Sequence, residues 1–164
     1  MFKVNDCVVY GSTGVCRITE LIRDKDIEGR ETFFYVLHPV FRDNMTIKAP
    51  VANAGALMRS VITKEEVLAL IDAMPKTEPL LFSDKRQRCT AFKFALKTGA
   101  HDEWIQIIKT LYLEKHKSGN LENKLTKSDE DIMTTAEQRL YEEFAIALGI
   151  AAEAVLPFIR ERLS

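Results

Sequence analysis

Apolar and polar residues alternate along the first 62 residues of the chain, in short stretches that end at glycine, proline or asparagine. The clearest stretches run from Val15 to Arg23 and from Phe33 to Leu37, and a short last one covers Arg59 to Ile62. A period of two is typical of half-buried β-strands, and aromatic and β-branched residues favour a pleated surface. Four or five short strands joined by tight turns predict a small, strongly curved antiparallel β-barrel.

The period of the apolar residues becomes helical at Thr63. Thr63 and Glu66 have the spacing of a capping box, which satisfies backbone N–H groups at the start of a helix. Two prolines in residues 75–79 then interrupt the helical pattern. Further helices are predicted from Ser83 to about Lys97, around Trp104, from Ser128 to Gly149 and from Ala151 to Arg162.

The clearest helix carries a complete apolar stripe, formed by Trp104, Ile107, Ile108, Leu111 and Tyr112. This stripe predicts that Trp104 lies in a bundle core. The sequence as a whole predicts an α+β chain of two domains. Its expected parts are a β-domain at 1–62, a helix with a proline-containing linker at 63–81, and an all-α helical bundle at 82–164.

Charge is distributed unevenly along a chain whose net charge is only −1. Residues 82–128 carry ten Lys and Arg against five Asp and Glu, whereas residues 129–164 carry three against eight. A locally basic block indicates an electropositive strip that meets phosphate. Two solvated helical faces of opposite sign that pack together would give the same pattern. Composition leaves both interpretations open.

Residue patterns that carry catalysis or bind metal ions are missing from the sequence. The three histidines are far apart, and neither a GxxxxGK[ST] nor a GxSxG motif occurs. Cys7, Cys16 and Cys89 lack metal-ligand spacing, so we expect buried free thiols in a reducing cytoplasm. No apolar run of about 18 residues and no signal-peptide pattern occurs, so we expect no membrane association. We therefore expect a cytoplasmic protein that is not an enzyme and needs no cofactor or metal ion.

Several motifs follow one another in the β-rich part: Phe2-Lys3-Val4-x-Asp6-x-Val8-Val9-Tyr10, Gly14-Val15, Phe34-Tyr35-Val36-Leu37 and Thr46-Ile47-Lys48-Ala49-Pro50-Val51-x-Asn53-Ala54. With these motifs, residues 1–62 resemble the CarD/CdnL family of bacterial RNA polymerase-binding transcription regulators. The same module resembles the polymerase-interaction domain of transcription-repair coupling factors. These 164 residues contain no helicase, so the stand-alone regulator is the better fit. Asn5 departs from the family pattern, in which a glycine is common before the aspartate.

The resemblance implies a Tudor/SH3-like barrel that docks on the β subunit of RNA polymerase through an exposed strand edge and basic side chains. By position, the basic residues of this contact correspond to Lys25, Lys48 and Arg59. The resemblance further implies a helical C-terminal domain that meets promoter DNA beside the melted region and stabilises the open complex. A basic helix supplies the phosphate attraction for such a contact largely independently of DNA sequence.

The basic helix departs from the family pattern at the position of its DNA wedge. Family members carry a tryptophan, closely followed by two arginines, and Lys85 takes the tryptophan's place here. Arg86, Arg88 and Lys93 keep the helix basic, and Phe82 is an aromatic residue that could stack on a base. We therefore predict that these five residues bind DNA.

Two functions from different classes follow. The first is a non-enzymatic transcription regulator that bridges polymerase and promoter DNA. The alternative is a polymerase-binding adaptor whose helical domain recruits another protein instead of DNA. Ionic strength separates them, because phosphate contacts weaken steeply with salt whereas an apolar helical interface does not.

Overall fold

The computed structural model describes residues 2–11, 13–42, 45–98, 100–116 and 125–164. It divides the chain into two units, one that ends at Thr63 and one that runs from Lys64 to Ser164. The helix that opens the 63–81 segment is grouped with the second unit.

The first unit is an antiparallel five-stranded sheet with the strand order β4-β3-β2-β1-β5. Its strands are β1 (Cys7–Tyr10), β2 (Gly14–Lys25), β3 (Glu31–Pro39), β4 (Ile47–Pro50) and β5 (Met58–Ser60). A 3-10 turn, Val51–Asn53, and the one-turn helix α1 (Ala54–Leu57) connect β4 to β5. The core on one face of the sheet includes Val8, Cys16, Ile18, Tyr35 and Leu37. The expected α+β class, with a β-rich part first, is confirmed.

The predicted closed barrel is not observed. In the part of the chain that the structure describes, β4 pairs only with β3 and β5 only with β1, so both are edge strands. Both strands are short, and the segment between them coils into helical turns that bring Ala54 into the core. The core is therefore covered by a helical turn at the place where a β4–β5 ladder would close the barrel.

Asn5 stands where the family pattern commonly has a glycine. Its φ of 78° lies in the left-handed region, which favours glycine but also admits asparagine. The Asn5 amide donates to the Ile18 carbonyl at 2.7 Å, which joins the turn before β1 to β2. Asparagine therefore occupies a backbone conformation that glycine also adopts readily.

The second unit consists of five helices and two 3-10 turns in its described residues. The helices are α2 (Lys64–Ala73), α3 (Lys85–Thr98), α4 (His101–Lys115), α5 (Lys127–Leu148) and α6 (Val155–Leu163). The 3-10 turns, Met74–Lys76 and Ala152–Ala154, follow α2 and precede α6. The largest fully buried side chains of this unit are Phe92, Phe144, Ile71, Ile107, Leu111 and Leu140.

Most helix boundaries in this unit differ by one or two residues from those that the sequence predicts, but the last helix begins at Val155, four residues after the predicted Ala151, because residues Ala152–Ala154 form a 3-10 turn. Asp84 rather than Ser83 accepts the Arg86 amide at the start of α3, at 2.9 Å. Thr126 rather than Ser128 caps α5, because its hydroxyl accepts the Asp129 amide at 3.1 Å. Gly149 ends α5 in the left-handed conformation, with φ 69°, as glycine after a helix commonly does.

Only part of the predicted apolar stripe is buried. Trp104 lies in the core, as predicted, and its indole N–H donates to the Ala95 carbonyl at 3.2 Å. Ile107 and Leu111 are also buried, whereas Tyr112 is half exposed. Among the described residues, the C-terminal part of α4 therefore presents an apolar face that the other helices leave partly exposed.

Candidate functional site

Strands β2 and β3 continue as a two-stranded hairpin past the strands on either side of them. Of the twelve residues of β2, only Gly14–Arg17 pair with β1. Of the residues of β3, only Phe34–Leu37 pair with β4. A register shift between Ile18 and Glu20 marks the point where β2 continues past β1. Residues 20–25 pair with residues 31–36 of β3, and among the described residues neither 20–25 nor 31–33 has a second partner strand. We call residues 20–25 and 31–33 the hairpin extension. Its outer backbone edges are available to another strand.

Two of the predicted docking residues, Lys25 and Lys48, donate hydrogen bonds to one carboxylate of this extension. Lys48 projects from the edge strand β4 across the ring of Phe34, with its ammonium 4.8 Å from the ring centroid, and donates to the Asp24 carboxylate on β2. The backbone N–H of Lys25 donates to the other oxygen of Asp24 at 2.8 Å. The hydrogen bond from Lys48, followed by that from the Lys25 amide, lowers the pKa of Asp24 below its usual 3.8. Asp24, which was not among the residues predicted from the sequence, therefore holds the Lys48 ammonium beside the backbone of Lys25.

Exposed apolar side chains lie on the same hairpin. Phe33 and Leu21 are each about half exposed, and Ile27 in the connecting turn is fully exposed. The Arg23 guanidinium lies 5.7 Å from the Phe33 ring centroid and 3.7 Å from a carboxylate oxygen of Glu31. Apolar groups gathered at an open strand edge are typical of a protein-binding surface. The sequence signal for this surface is the length of the β2 alternation, which continues past the residues that β1 can pair.

Arg59 lies apart from this cluster in the strand order. It belongs to β5, the edge strand on the other side of β1, where it pairs with Val9. Its guanidinium donates to the Ser60 carbonyl at 3.2 Å. Strand pairing thus brings Lys25 and Lys48 to one side of the sheet and Arg59 to the other edge.

Helix α3 of the second unit carries most of the predicted DNA-binding residues on its exposed side. Lys85, Arg86 and Lys93 are exposed, and so is Lys97. Arg86, Lys93 and Lys97 are spaced i, i+7 and i+11, which places them along one side of a helix with 3.6 residues per turn. We call these three residues the basic stripe.

The prediction that Arg88 contacts DNA conflicts with its position. Arg88 is only 6% exposed, and its guanidinium donates to the Asp129 carboxylate on α5 at 2.8 Å. A carboxylate oxygen of Glu114 on α4 lies 4.0 Å away. A buried guanidinium that is paired in this way joins α3, α4 and α5 and is not presented to a phosphate. The physical reason is position: Arg88 precedes the buried Phe92 by four residues and shares its face of the helix.

The two phenylalanines near the basic stripe differ in exposure. Phe82, the predicted stacking residue, is 36% exposed and packs edge-to-face on Phe92, with ring centroids 6.0 Å apart. Phe94 is 68% exposed and borders a shallow surface depression with Arg86 and Thr90. Phe94 was not among the residues predicted from the sequence. Helical spacing could have found it, because Phe94 lies two residues from Phe92 and therefore about 200° around the helix.

Neither unit shows a cluster of metal-binding side chains in the residues that the structure describes. Within the same residues, no helix combines the length and the hydropathy that a membrane crossing requires.

Residues 2–62 match the family model of the CarD-like/TRCF RID domain, the RNA polymerase-interaction domain that CarD-like proteins share with transcription-repair coupling factors. The resemblance of the N-terminal part is thereby confirmed. The match ends one residue before Thr63, where the structure divides the two units, so the matched segment corresponds to the five-stranded sheet. A comparison with curated proteins gave no match.

Proposed function

We propose that the protein is a non-enzymatic bacterial transcription regulator. It docks on the β subunit of RNA polymerase through its first unit and contacts promoter DNA through its second unit, which changes the stability of the open complex. The observation that carries this proposal is the match of residues 2–62 to a polymerase-interaction domain. Tethering by the first contact gives the second a high effective concentration, so each interface can be weak by itself.

The hairpin extension is the best-supported docking surface. Its open backbone edges suit addition of a strand from the polymerase, which is a recurrent way of binding a sheet. Exposed Phe33 and Ile27 supply apolar contact area, and Lys25 lies at the end of β2 beside them. In the free protein Lys48 is paired with the Asp24 carboxylate. On docking, the Lys48 ammonium leaves Asp24 and pairs with a carboxylate of the polymerase.

Charge reversal tests this docking mode. We expect the Lys25→Glu/Lys48→Glu variant to bind core polymerase at least about tenfold more weakly, because like charges placed across an interface oppose association. Lys76→Glu/Lys127→Glu is the matched control, since both lysines are exposed in the second unit. Circular dichroism confirms that each variant is folded. Unchanged affinity of the Lys25/Lys48 variant would remove these residues from the interface, and Arg59→Glu, measured separately, tests whether the β5 edge contributes.

The second unit offers a cationic and aromatic surface that suits DNA. The basic stripe provides phosphate contacts, and Lys85 adds a cation at the start of α3. Phe94 beside the stripe is an aromatic group that can stack on an unpaired base or insert at a base step. We propose Phe94, in preference to Phe82, as the aromatic residue that acts at the edge of the melted region.

Salt titration and single substitutions test the DNA contact. With a forked promoter fragment, we expect neutralising the basic stripe (Arg86→Gln/Lys93→Gln/Lys97→Gln) to lower affinity and to flatten the plot of log K against log[salt]. The slope changes by about 0.7 to 0.9 for each phosphate that the variant no longer neutralises. Phe94→Ala weakens binding to the fork but leaves the slope unchanged, whereas Phe82→Ala has a smaller effect on affinity. Equal effects of the two phenylalanine variants would contradict the assignment of Phe94.

A polymerase-binding adaptor remains the second candidate. It is favoured by the burial of Arg88, which removes one cation from the exposed side of α3, and by the absence of the family's tryptophan at Lys85. Polymerase binding that DNA does not strengthen at low or high salt would support the adaptor. Reinforcement by promoter DNA that disappears at high salt would support the regulator.

A further inference from the structure

An apolar cleft in the second unit has no part in either proposed interface. It lies among the 3-10 turn after α2 and helices α4, α5 and α6, and its volume is about 530 Å³. Its apolar lining includes Ile105, Ile108, Met133, Leu140, Leu156 and Ile159. The half-exposed Tyr112, from the uncovered part of the apolar stripe of α4, borders it. The volume falls within the ~300–1,000 Å³ range of small-ligand sites.

The charged groups around the cleft are mainly cationic. Among the described residues that line it, Lys109, Lys115 and Arg160 are cations and Glu137 supplies the one carboxylate. Lys109 donates to the carbonyls of Met74 and Pro75, at 3.1 Å each, so its ammonium holds the 3-10 turn after α2 against α4.

The two remaining cations are available to an anion. Neither Lys115 nor Arg160 forms an ion pair with a described residue. Burial raises the pKa of Glu137, and the positive charge of Lys115 opposes that rise. The Tyr141 hydroxyl, whose pKa burial raises to about 12, stays protonated at neutral pH and can donate a hydrogen bond in the cleft.

We propose that this cleft binds an anionic amphiphile with a fatty-acid-like structure, that is, an unbranched apolar chain with one carboxylate. The apolar lining takes the chain, and Arg160 and Lys115 at the rim take the carboxylate. Two observations favour this occupant: the apolar lining forms one concavity walled by four elements of a single unit, and its rim has an excess of cations. A docked helix of another protein is the competing occupant, and the experiment below separates the two.

The experiment is calorimetric titration of the full chain with dodecanoate below its micellar concentration. We expect saturable binding of one equivalent. Decanoate binds about fifteenfold more weakly, since each buried methylene group contributes about a factor of four. Dodecyltrimethylammonium, which has the same chain with a cationic head, binds at least about tenfold more weakly than dodecanoate.

Substitutions locate the site. Arg160→Gln changes an exposed residue and is expected to weaken dodecanoate binding about tenfold. Lys127→Gln, at an exposed position of α5, is the matched control and is expected to leave dodecanoate binding unchanged. Met133→Trp fills the cleft, so the folded variant should not bind dodecanoate. If Met133→Trp does not fold, Arg160→Gln still tests the proposal.

Three results would overturn the proposal. They are the absence of saturable binding, equal affinity for the anionic and cationic amphiphiles, and full affinity in Arg160→Gln. Binding of an acidic amphipathic peptide without binding of dodecanoate would assign the cleft to a protein partner and would also overturn it. Polymerase binding by the first unit is measured independently, so failure of this proposal leaves the proposed function untouched.

Discussion

Arg88 gives the sharpest test of how the second unit is held together. Its guanidinium lies in the interior with the Asp129 carboxylate at 2.8 Å, and both residues are less than a tenth exposed. The Arg88→Met substitution removes the cation and leaves Asp129 in the interior without its partner. The same substitution would affect mainly DNA affinity if Arg88 were a phosphate contact.

The expected magnitude follows from this burial. Removal of one partner of a buried ion pair costs about 3–5 kcal/mol, because the remaining charge is desolvated and uncompensated. The Arg88 Nε already lacks a hydrogen-bond partner among the described residues, so the pair is not fully satisfied in the native protein. We therefore expect the lower end of that range, about 3 kcal/mol. In Arg88→Met/Asp129→Leu, where both charges are replaced by apolar groups, the loss shrinks to within about 1 kcal/mol of the native protein.

Urea unfolding measures these free energies, and Trp104 reports them locally. Trp104 is the only tryptophan of the chain, is buried in the second unit and donates to Ala95 on α3, so its fluorescence follows the unit that contains Arg88. Lys93→Met, at an exposed position of the same helix, is the matched control and changes stability by less than about 0.5 kcal/mol. A loss below about 1 kcal/mol in Arg88→Met, or a double variant as unstable as the single one, would contradict a structural role for this ion pair.

Two further predictions concern titration. We expect the Asp24 carboxyl to have a pKa below 3.8, so the stabilisation from its pair with Lys48 is present above pH 3.8 and is lost as the pH falls through the lowered pKa. Carbon-13 NMR should show the pKa of Asp24 return toward 3.8 in Lys48→Met. An unchanged pKa in that variant would contradict the pairing. Burial raises the pKa of Cys16 to about 11, so only about one thiol in a thousand is ionised at pH 8. Iodoacetamide should therefore modify the half-buried Cys7 and Cys89 of the native protein before Cys16, and equal rates in peptide mass spectra would be the contrary result.

Local patterns in the sequence were sufficient to predict most of the secondary structure. The alternation from Val15 to Arg23 lies within β2, and the apolar stripe around Trp104 lies within α4. Barrel closure could not be predicted in this way. It depends on whether two short, distant strands meet, and the helical turn at Ala54 decides that question.

The candidate site shows the same division between local and long-range information. Lys48 and Asp24 are 24 positions apart, and their meeting depends on the register of three strands. The partner of Arg88 lies 41 positions away, so charge alone suggested a surface residue. Its helical spacing to Phe92 and Leu96, both buried, was the local signal that pointed to the interior.

The hairpin extension also bears on how the protein behaves at high concentration. A strand edge that can accept a strand of another protein can equally accept the same strand of a second copy, which is the usual beginning of β-aggregation. Charged residues interrupt this edge at Arg23, Asp24 and Lys25, and natural sheets use such charges to discourage edge-to-edge self-pairing. The proposed docking surface therefore carries its own protection against aggregation, and substitutions that neutralise it should make the free protein less soluble.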